Sequence, residues 1–286
     1  MAVEVSYTAL CHNNHLFIFD ALKPGESQTG RRLQEEVADY ANSIGRYNYC
    51  TRYVIKNKTM LVAHLKAIEC ECRAGVLYPA LHFECHGDAD KGLWISGSDE
   101  YISWAELAAL ITPLSAASRN NVAVVLGTCH GFALQQSVDI TAPCPFHYMI
   151  APNQEITSGV IYDSVLPFYK EIVSTGELEV ALKCLDGKFK FFCAGEWFYS
   201  MIATFYTNSY SLKDKEEMMN RMINNEVAKA GYSNRQLIRS ARVKIKKYLN
   251  NPRVFYSALE RCFFHGQAKI PYDELKRFVD EQKAKR

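Results

Sequence analysis

Two short segments bring reactive side chains to the ends of apolar runs. One is Leu81-His82-Phe83-Glu84-Cys85-His86-Gly87-Asp88, and the other is Val125-Leu126-Gly127-Thr128-Cys129-His130-Gly131. Together they offer a nucleophile, Cys129, and a base, His86. The thiolate is the attacking species, and a free cysteine is mostly thiol at neutral pH. A nearby imidazole takes the thiol proton and later returns it to a leaving amine. Gly87 and Gly131 are small enough to let a substrate backbone approach. A developing oxyanion needs inward-pointing donors, each worth about 3–4 kcal/mol in other hydrolases. The backbone N–H groups of Gly87 and Cys129 are the candidates. A short helical stretch over 132–138 would bring the positive end of its dipole close to Cys129.

Plainer readings compete at several of these positions. A cysteine inside an apolar segment is usually a small hydrophobe, and Cys70, Cys72, Cys144, Cys184, Cys193 and Cys262 are read that way. Strand alternation turns Cys85 into the core, which makes it a weak rival nucleophile. By adjacency, His130 points away from Cys129. His82, Glu84 and His86 share one face of an extended strand, as a zinc site requires, but no third element supplies a further ligand. No metal or other cofactor is expected. Trp94 and Trp104 read as core or cleft wall.

These residues need a scaffold, and the first two-thirds of the chain predicts one. Strand-like runs occur at His15–Asp20, Thr51–Lys56, Tyr78–Cys85, Asn121–Gly127, Phe146–Ala151 and Lys188–Cys193. Val122–Leu126 is unbroken apolar, as a strand buried on both faces requires. Between the strands lie amphipathic patterns. Leu33, Val37, Tyr40, Ala41 and Ile44 form one helical face, and Leu61, Leu65, Ile68 and Cys72 another. Ser103 with Glu106 is a capping box for a helix carrying Trp104, Leu107, Ala108 and Ile111. Helices follow at Ile161–Val173, where Pro167 should kink or break the pattern, and at Leu178–Leu185, with Gly187 as a stop. Six strands with helical crossovers predict a mostly parallel α/β sheet. Chemistry in such sheets gathers at the carboxyl ends of strands, where His86 and Cys129 both fall.

From about Thr207 the strand signals vanish. Four helices are expected, roughly Lys213–Ala230, Asn234–Asn250, Pro252–Phe264 and Pro271–Lys283, with Asp214 and Ser233 as N-caps and Gly231 as a C-cap. The expected organisation is an α/β domain over 1–207 and a helical region over 208–286. Charge divides the same way. Residues 208–286 hold 18 Lys/Arg against 9 Asp/Glu, while residues 1–207 hold 15 against 22. The basic stretch from Arg235 to Lys247 is first a solvated helix face, with Leu237, Ile238, Ala241, Ile245 and Tyr248 turned inward. Its functional reading is an anion or partner surface. Nucleic acid is the less favoured partner, since no zinc finger, RNP motif or aromatic platform accompanies the charge.

Composition is that of a globular chain, with 48% apolar and 22% charged residues. Ten cysteines at 11, 50, 70, 72, 85, 129, 144, 184, 193 and 262 show no framework spacing. The N-terminal MAVEVSYTALCHNNH does not read as a secretory signal, and no apolar run approaches membrane-spanning length. Free thiols in a reducing, cytoplasmic compartment are therefore expected, with no membrane partner.

The segments HFECHGDADKGLWI and VAVVLGTCHG, each preceded by an apolar strand, resemble the caspase-like cysteine peptidases. That group includes metacaspases, separases and the bacterial CHAT domains. The likeness covers roughly residues 10–207. It is closest to CHAT domains, through the Gly92-Leu93 pair and the Ser103-capped helix. The resemblance implies a caspase-like six-stranded sheet and an endopeptidase that cleaves a protein partner through Cys129 and His86. Gly127-Thr128-Cys129-His130-Gly131 departs from the caspase Gln-Ala-Cys-x-Gly pattern, so aspartate specificity is not implied. Members that cut after Arg or Lys place an acid in the cleft, and Asp20 and Glu155 are the candidates here. Kinship also implies a regulated enzyme of stress or antiviral defence, with residues 208–286 as the seat of control by a protein or ligand. The rival from another class is a catalytically silent binding module on the same fold, holding a protein or nucleic-acid partner through its basic helices.

Overall fold

The computed structural model describes residues 12–207, 212–249, 251–267 and 269–284. Cys11, most of the N-terminal stretch and Asn250 lie outside the described residues, as do the side chains of Asp214 and Tyr248. In chain order the first elements are β1 (His15–Asp20), α1 (Thr29–Ser43), β2 (Cys50–Val54), α2 (Lys58–Arg73) and β3 (Pro79–Glu84). Three short strands follow, β4 (His86–Asp88), β5 (Gly92–Ile95) and β6 (Glu100–Ile102), and then α3 (Trp104–Ala117) and β7 (Ala123–Gly127). A 3-10 helix spans Gly131–Ser137. β8 (Tyr148–Pro152), α4 (Ser158–Thr175), α5 (Leu178–Leu182) and β9 (Phe189–Cys193) complete the α/β part. The remaining described elements are helices: α6 (Ala194–Thr207), α7 (Leu212–Ala230), α8 (Arg235–Leu249), α9 (Pro252–Phe263) and α10 (Tyr272–Ala284).

All six expected strands join one sheet in the order β2-β1-β3-β7-β8-β9. Every pairing is parallel except β8 with β9. Alternation sorts the side chains between two helical layers. Leu16, Ile18, Val125 and Ile150 pack with Leu33 and Val37 of α1 and Val165 and Phe168 of α4. Phe17 and Phe19 point the other way. Tyr53 stacks near both, and His64 of α2 stacks on Tyr53 with centroids 3.9 Å apart. Each large apolar side chain buried in this way stabilises the fold by about 1.5–3 kcal/mol.

Local signals held where geometry was simple. Ser103 caps α3, its Oγ accepting the Glu106 N–H at 3.2 Å. Gly176 ends α4 in the left-handed region at φ 72°. Pro167, in contrast, neither breaks α4 nor ends it. Pro167 and Asp163 lie on the exposed side. The Asp163 carbonyl that proline leaves unbonded therefore meets water, while Val165 and Phe168 stay buried on the other side. α5 stops at Leu182, five residues before Gly187.

The three-stranded antiparallel sheet β4-β5-β6 was not expected. It follows directly from the end of β3, and it breaks the anticipated shared face of His82, Glu84 and His86. β3 ends at Glu84, and His86 belongs to a different sheet. Among the described residues, no three His, Cys, Asp or Glu side chains converge as a metal site.

The chain forms two compact units, residues 8–138 with 145–194, and 139–144 with 195–286. α6 thus lies with the helices, whereas the expected division at 207 had placed it in the α/β domain. In the helical unit, Phe198 stacks on Phe263 at 4.9 Å. Buried Glu260 accepts from Tyr199 Oη at 2.7 Å and from the Lys269 and Ile270 N–H groups. The 139–144 segment is stitched in through the Cys144 N–H to the Phe263 carbonyl and through Asn225 to Thr141. Asn234, not Ser233, caps α8, accepting the Leu237 N–H at 2.7 Å. Arg235, Arg239, Arg242 and Lys246 are exposed on α8, with Ala241 and Ile245 buried beneath. Every cysteine among the described residues is a free thiol. No helix among them is long and apolar enough to cross a membrane.

Gly127 supports a sharp expectation. A Cβ there would stand 2.7 Å from Glu84 Oε2 and 3.1 Å from His82 Nε2. Gly127→Ala should lower unfolding free energy by about 1–3 kcal/mol in urea denaturation, the usual cost of overpacking. An unchanged midpoint and slope would refute this account of the strand end.

Candidate active site

β3 and β7 are neighbours, and Glu84 is in register with Gly127. The chain leaves both strands at the same edge. One path turns through Cys85 into β4, and the other through Thr128 and Cys129. Gly87 makes their approach possible. A Cβ on Gly87 would fall 2.2 Å from the Cys129 carbonyl oxygen and 2.2 Å from Thr128 Oγ1. The backbone after His86 therefore rests on the backbone of Cys129.

His86 and Cys129 line one cavity of about 320 Å³, with Glu26, Glu84, Thr128 and Ile156 also in its wall. A second, more open cleft of about 590 Å³ shares Cys129 and Ile156 and adds Gly87, Asp88, His130 and Glu155. Cys129 thus stands on the ridge between two hollows. The loop after β8 crosses its sulfur. The Ile156 N–H donates to Sγ at 3.4 Å, and the thiol donates to the Ile156 carbonyl at 3.5 Å. The Cys129 N–H donates to no acceptor among the described residues, as an oxyanion donor must. Gly87 sits in β4 opposite Leu93. The helix after Cys129 is a 3-10 helix whose N-cap is His130, in the left-handed region at φ 56°. The His130 N–H is bonded to the Gln154 carbonyl at 3.2 Å.

His86 is about half exposed, and no hydrogen bond joins it to Cys129. Catalytic pairs are often loose before substrate binds. Its ring lies 5.4 Å from that of Trp94, tilted by 41°. Its Nε2 meets Glu26 Oε1 at 3.0 Å. Glu26 also accepts the Lys23 N–H at 2.6 Å. Partial burial pushes the Glu26 carboxyl up, but the hydrogen bonds from His86 and the Lys23 N–H outweigh it and hold the group below its ordinary range. Glu26 was not anticipated from sequence. It lies 60 positions before His86 in a polar loop, and no spacing rule links them.

Below the cavity lies a buried polar chain. Glu84 is 2% exposed and His82 0%. His82 Nε2 meets Glu84 Oε2 at 2.9 Å, and Nδ1 meets the Tyr169 hydroxyl at 3.0 Å. Thr29 donates to the other Glu84 oxygen.

The two expected specificity acids part company. Glu155 lines the open cleft beside Cys129. Asp20 is 4% exposed and held by Arg52, whose Nε and Nη2 reach Oδ2 at 2.8 and 2.7 Å. Asp20 is absent from the walls of both hollows, and its charge is already neutralised. Cys85 is buried as expected, and burial raises its thiol well above the ordinary range. Burial likewise pushes the Cys50 and Cys72 thiols up to about 12.

The sequence matches no protein-family model and no curated protein.

Two measurements probe this arrangement. In brief iodoacetamide labelling of native protein at neutral pH, Cys129 should react well before Cys85 and Cys72, as read by peptide mass spectrometry. Equal labelling of Cys85 would contradict its burial. Separately, Arg52→Met should cost about 3 kcal/mol, because it strands a buried carboxylate. Asp20→Asn in the Arg52→Met background should recover part of that loss in chemical denaturation.

Proposed function

We propose that this chain is a caspase-like cysteine endopeptidase that hydrolyses peptide bonds of a protein partner. One observation supports this above the others: Cys129 and His86 leave adjacent parallel strands at the same edge and line one cavity. The sheet order is in keeping with that family reading. Cys129 gives its proton to His86 and attacks the scissile carbonyl carbon. The carbonyl oxygen takes up negative charge facing the N–H groups of Gly87 and Cys129. Collapse of the adduct expels the amine, which receives the proton from His86 and leaves an acyl-enzyme. Water, deprotonated by His86, attacks the thioester, releasing the acid and restoring the thiol.

The cleft walls favour a cationic side chain. Glu26 lines the narrower hollow, and Asp88, Asp90 and Glu155 the open one, against a single lysine, Lys188. A basic residue before the scissile bond is the complementary partner. A role in stress or antiviral defence, and control through residues 208–286, rest on kinship alone.

A second reading, a silent adaptor, draws support from the exposed cationic face of α8. Salt-sensitive retention on heparin, without any peptidase activity, would favour it.

A peptide-library digest read by mass spectrometry tests the enzyme reading. Cleavage after Arg or Lys is expected. Cys129→Ala should reduce it by at least about a thousandfold while thermal unfolding stays unchanged. Cleavage that survives this substitution would remove the proposal, and cleavage after acidic residues would remove its specificity.

A further inference from the structure

We infer that Glu26 is a positioning residue that fixes the tautomer of His86, with the proton on Nε2 and Nδ1 left free as the base. The inference rests on the peptidase reading for its catalytic meaning, but its structural content stands independently. A neutral imidazole has one N–H and one bare nitrogen, and the hydrogen bond made by one decides the role of the other. A carboxylate accepts only, so a neutral His86 bonded to Glu26 through Nε2 must carry its proton there.

Glu26 is itself anchored. Its second oxygen accepts the Lys23 N–H, and its own carbonyl accepts from Gln28 Nε2 at 3.3 Å. Its depressed carboxyl keeps it ionised through the neutral range. Trp94 supports the imidazole from the side, and Lys23 Nζ lies 4.9 Å from the Trp94 ring. The ring is thus held by one hydrogen bond and one aromatic surface. When Cys129 transfers its proton to Nδ1, the resulting imidazolium keeps its Nε2–H on Glu26. No proton moves to the carboxylate, and the net charge of the pair rises from −1 to zero as thiolate forms.

A hydrogen bond between partly exposed side chains contributes little to stability. Glu26→Ala should therefore leave the melting temperature almost unchanged, and stability cannot serve as the readout. Tautomer state can. In full-length protein with 15N-labelled histidine, long-range proton–nitrogen spectra separate protonated from bare ring nitrogens, and His86→Gln assigns the signals. Above the titration of the ring, His86 should show a protonated Nε2 and a bare Nδ1. Glu26→Ala should yield a mixture of tautomers. Glu26→Gln, whose amide can donate to Nε2, should shift the population toward Nδ1–H, and Glu26→Asp should restore much of the original state.

In activity assays with a cleaved library peptide, Glu26→Ala and Glu26→Gln should lower kcat about tenfold with KM little changed. A His86 signal already in the Nδ1–H form, or one indifferent to all three substitutions, would overturn the inference even if peptides are cleaved. The expected tautomer shifts without any cleavage would uphold the positioning role and sink the peptidase reading instead.

Discussion

Glu84 lies buried at the last position of β3, in register with Gly127 of β7. An ionised carboxylate removed from water costs several kcal/mol unless its oxygens are bonded. Here Thr29 from α1 takes one oxygen and His82 from the same strand takes the other, with Tyr169 of α4 closing the chain. Two helices and one strand are thereby tied to a single group. Gly127 is the complement, since its missing side chain is the space Glu84 occupies. Everything at the strand edge sits on this arrangement.

Above it, a second close contact aligns the two loops. Gly87 lies against the Cys129 carbonyl so tightly that no Cβ fits. The contact brings the backbone that follows His86 directly against that of Cys129. The covalent mechanism proposed above would need such close placement, because small displacements at a reacting centre are costly. The same edge explains why two cysteines close in space have opposite characters. Cys85 continues the face of Leu81 and Phe83 into the core, and burial suppresses its ionisation. Cys129 lies on the other face, beside the N–H of Ile156 and open to both hollows.

Charge is distributed to match. Acids gather around the clefts, Asp20 is withdrawn into a pair with Arg52, and α8 carries a row of exposed cations. Uneven charge of this sort steers partners and sets association rates more than it sets fold. The proposed chemistry and the α8 surface are thus separable properties of two compact units.

Sequence by itself determined the strands and most helices. The apolar run Val122–Leu126 and the stripes of α1, α2 and α3 repeat with the period of the element they form, and Ser103 carries its capping chemistry within three residues. It also singled out Cys129 and His86 as candidates, because glycines follow them at strand ends. Tertiary structure alone decided the rest. β4, β5 and β6 are three or four residues long, too short to show a period. α6, in contrast, buries Phe198, Tyr199, Ile202 and Ala203 at helical spacing, a stripe that was legible in the sequence but not read there. Pro167 is tolerated because its unbonded carbonyl partner is on the wet side of α4. Asp20 is spent on an arginine from the adjacent strand, and Glu26 reaches His86 across 60 residues. Periodicity reports what a segment does along its own axis, whereas a salt bridge or a hydrogen bond between distant loops exists only once the sheet has brought them together.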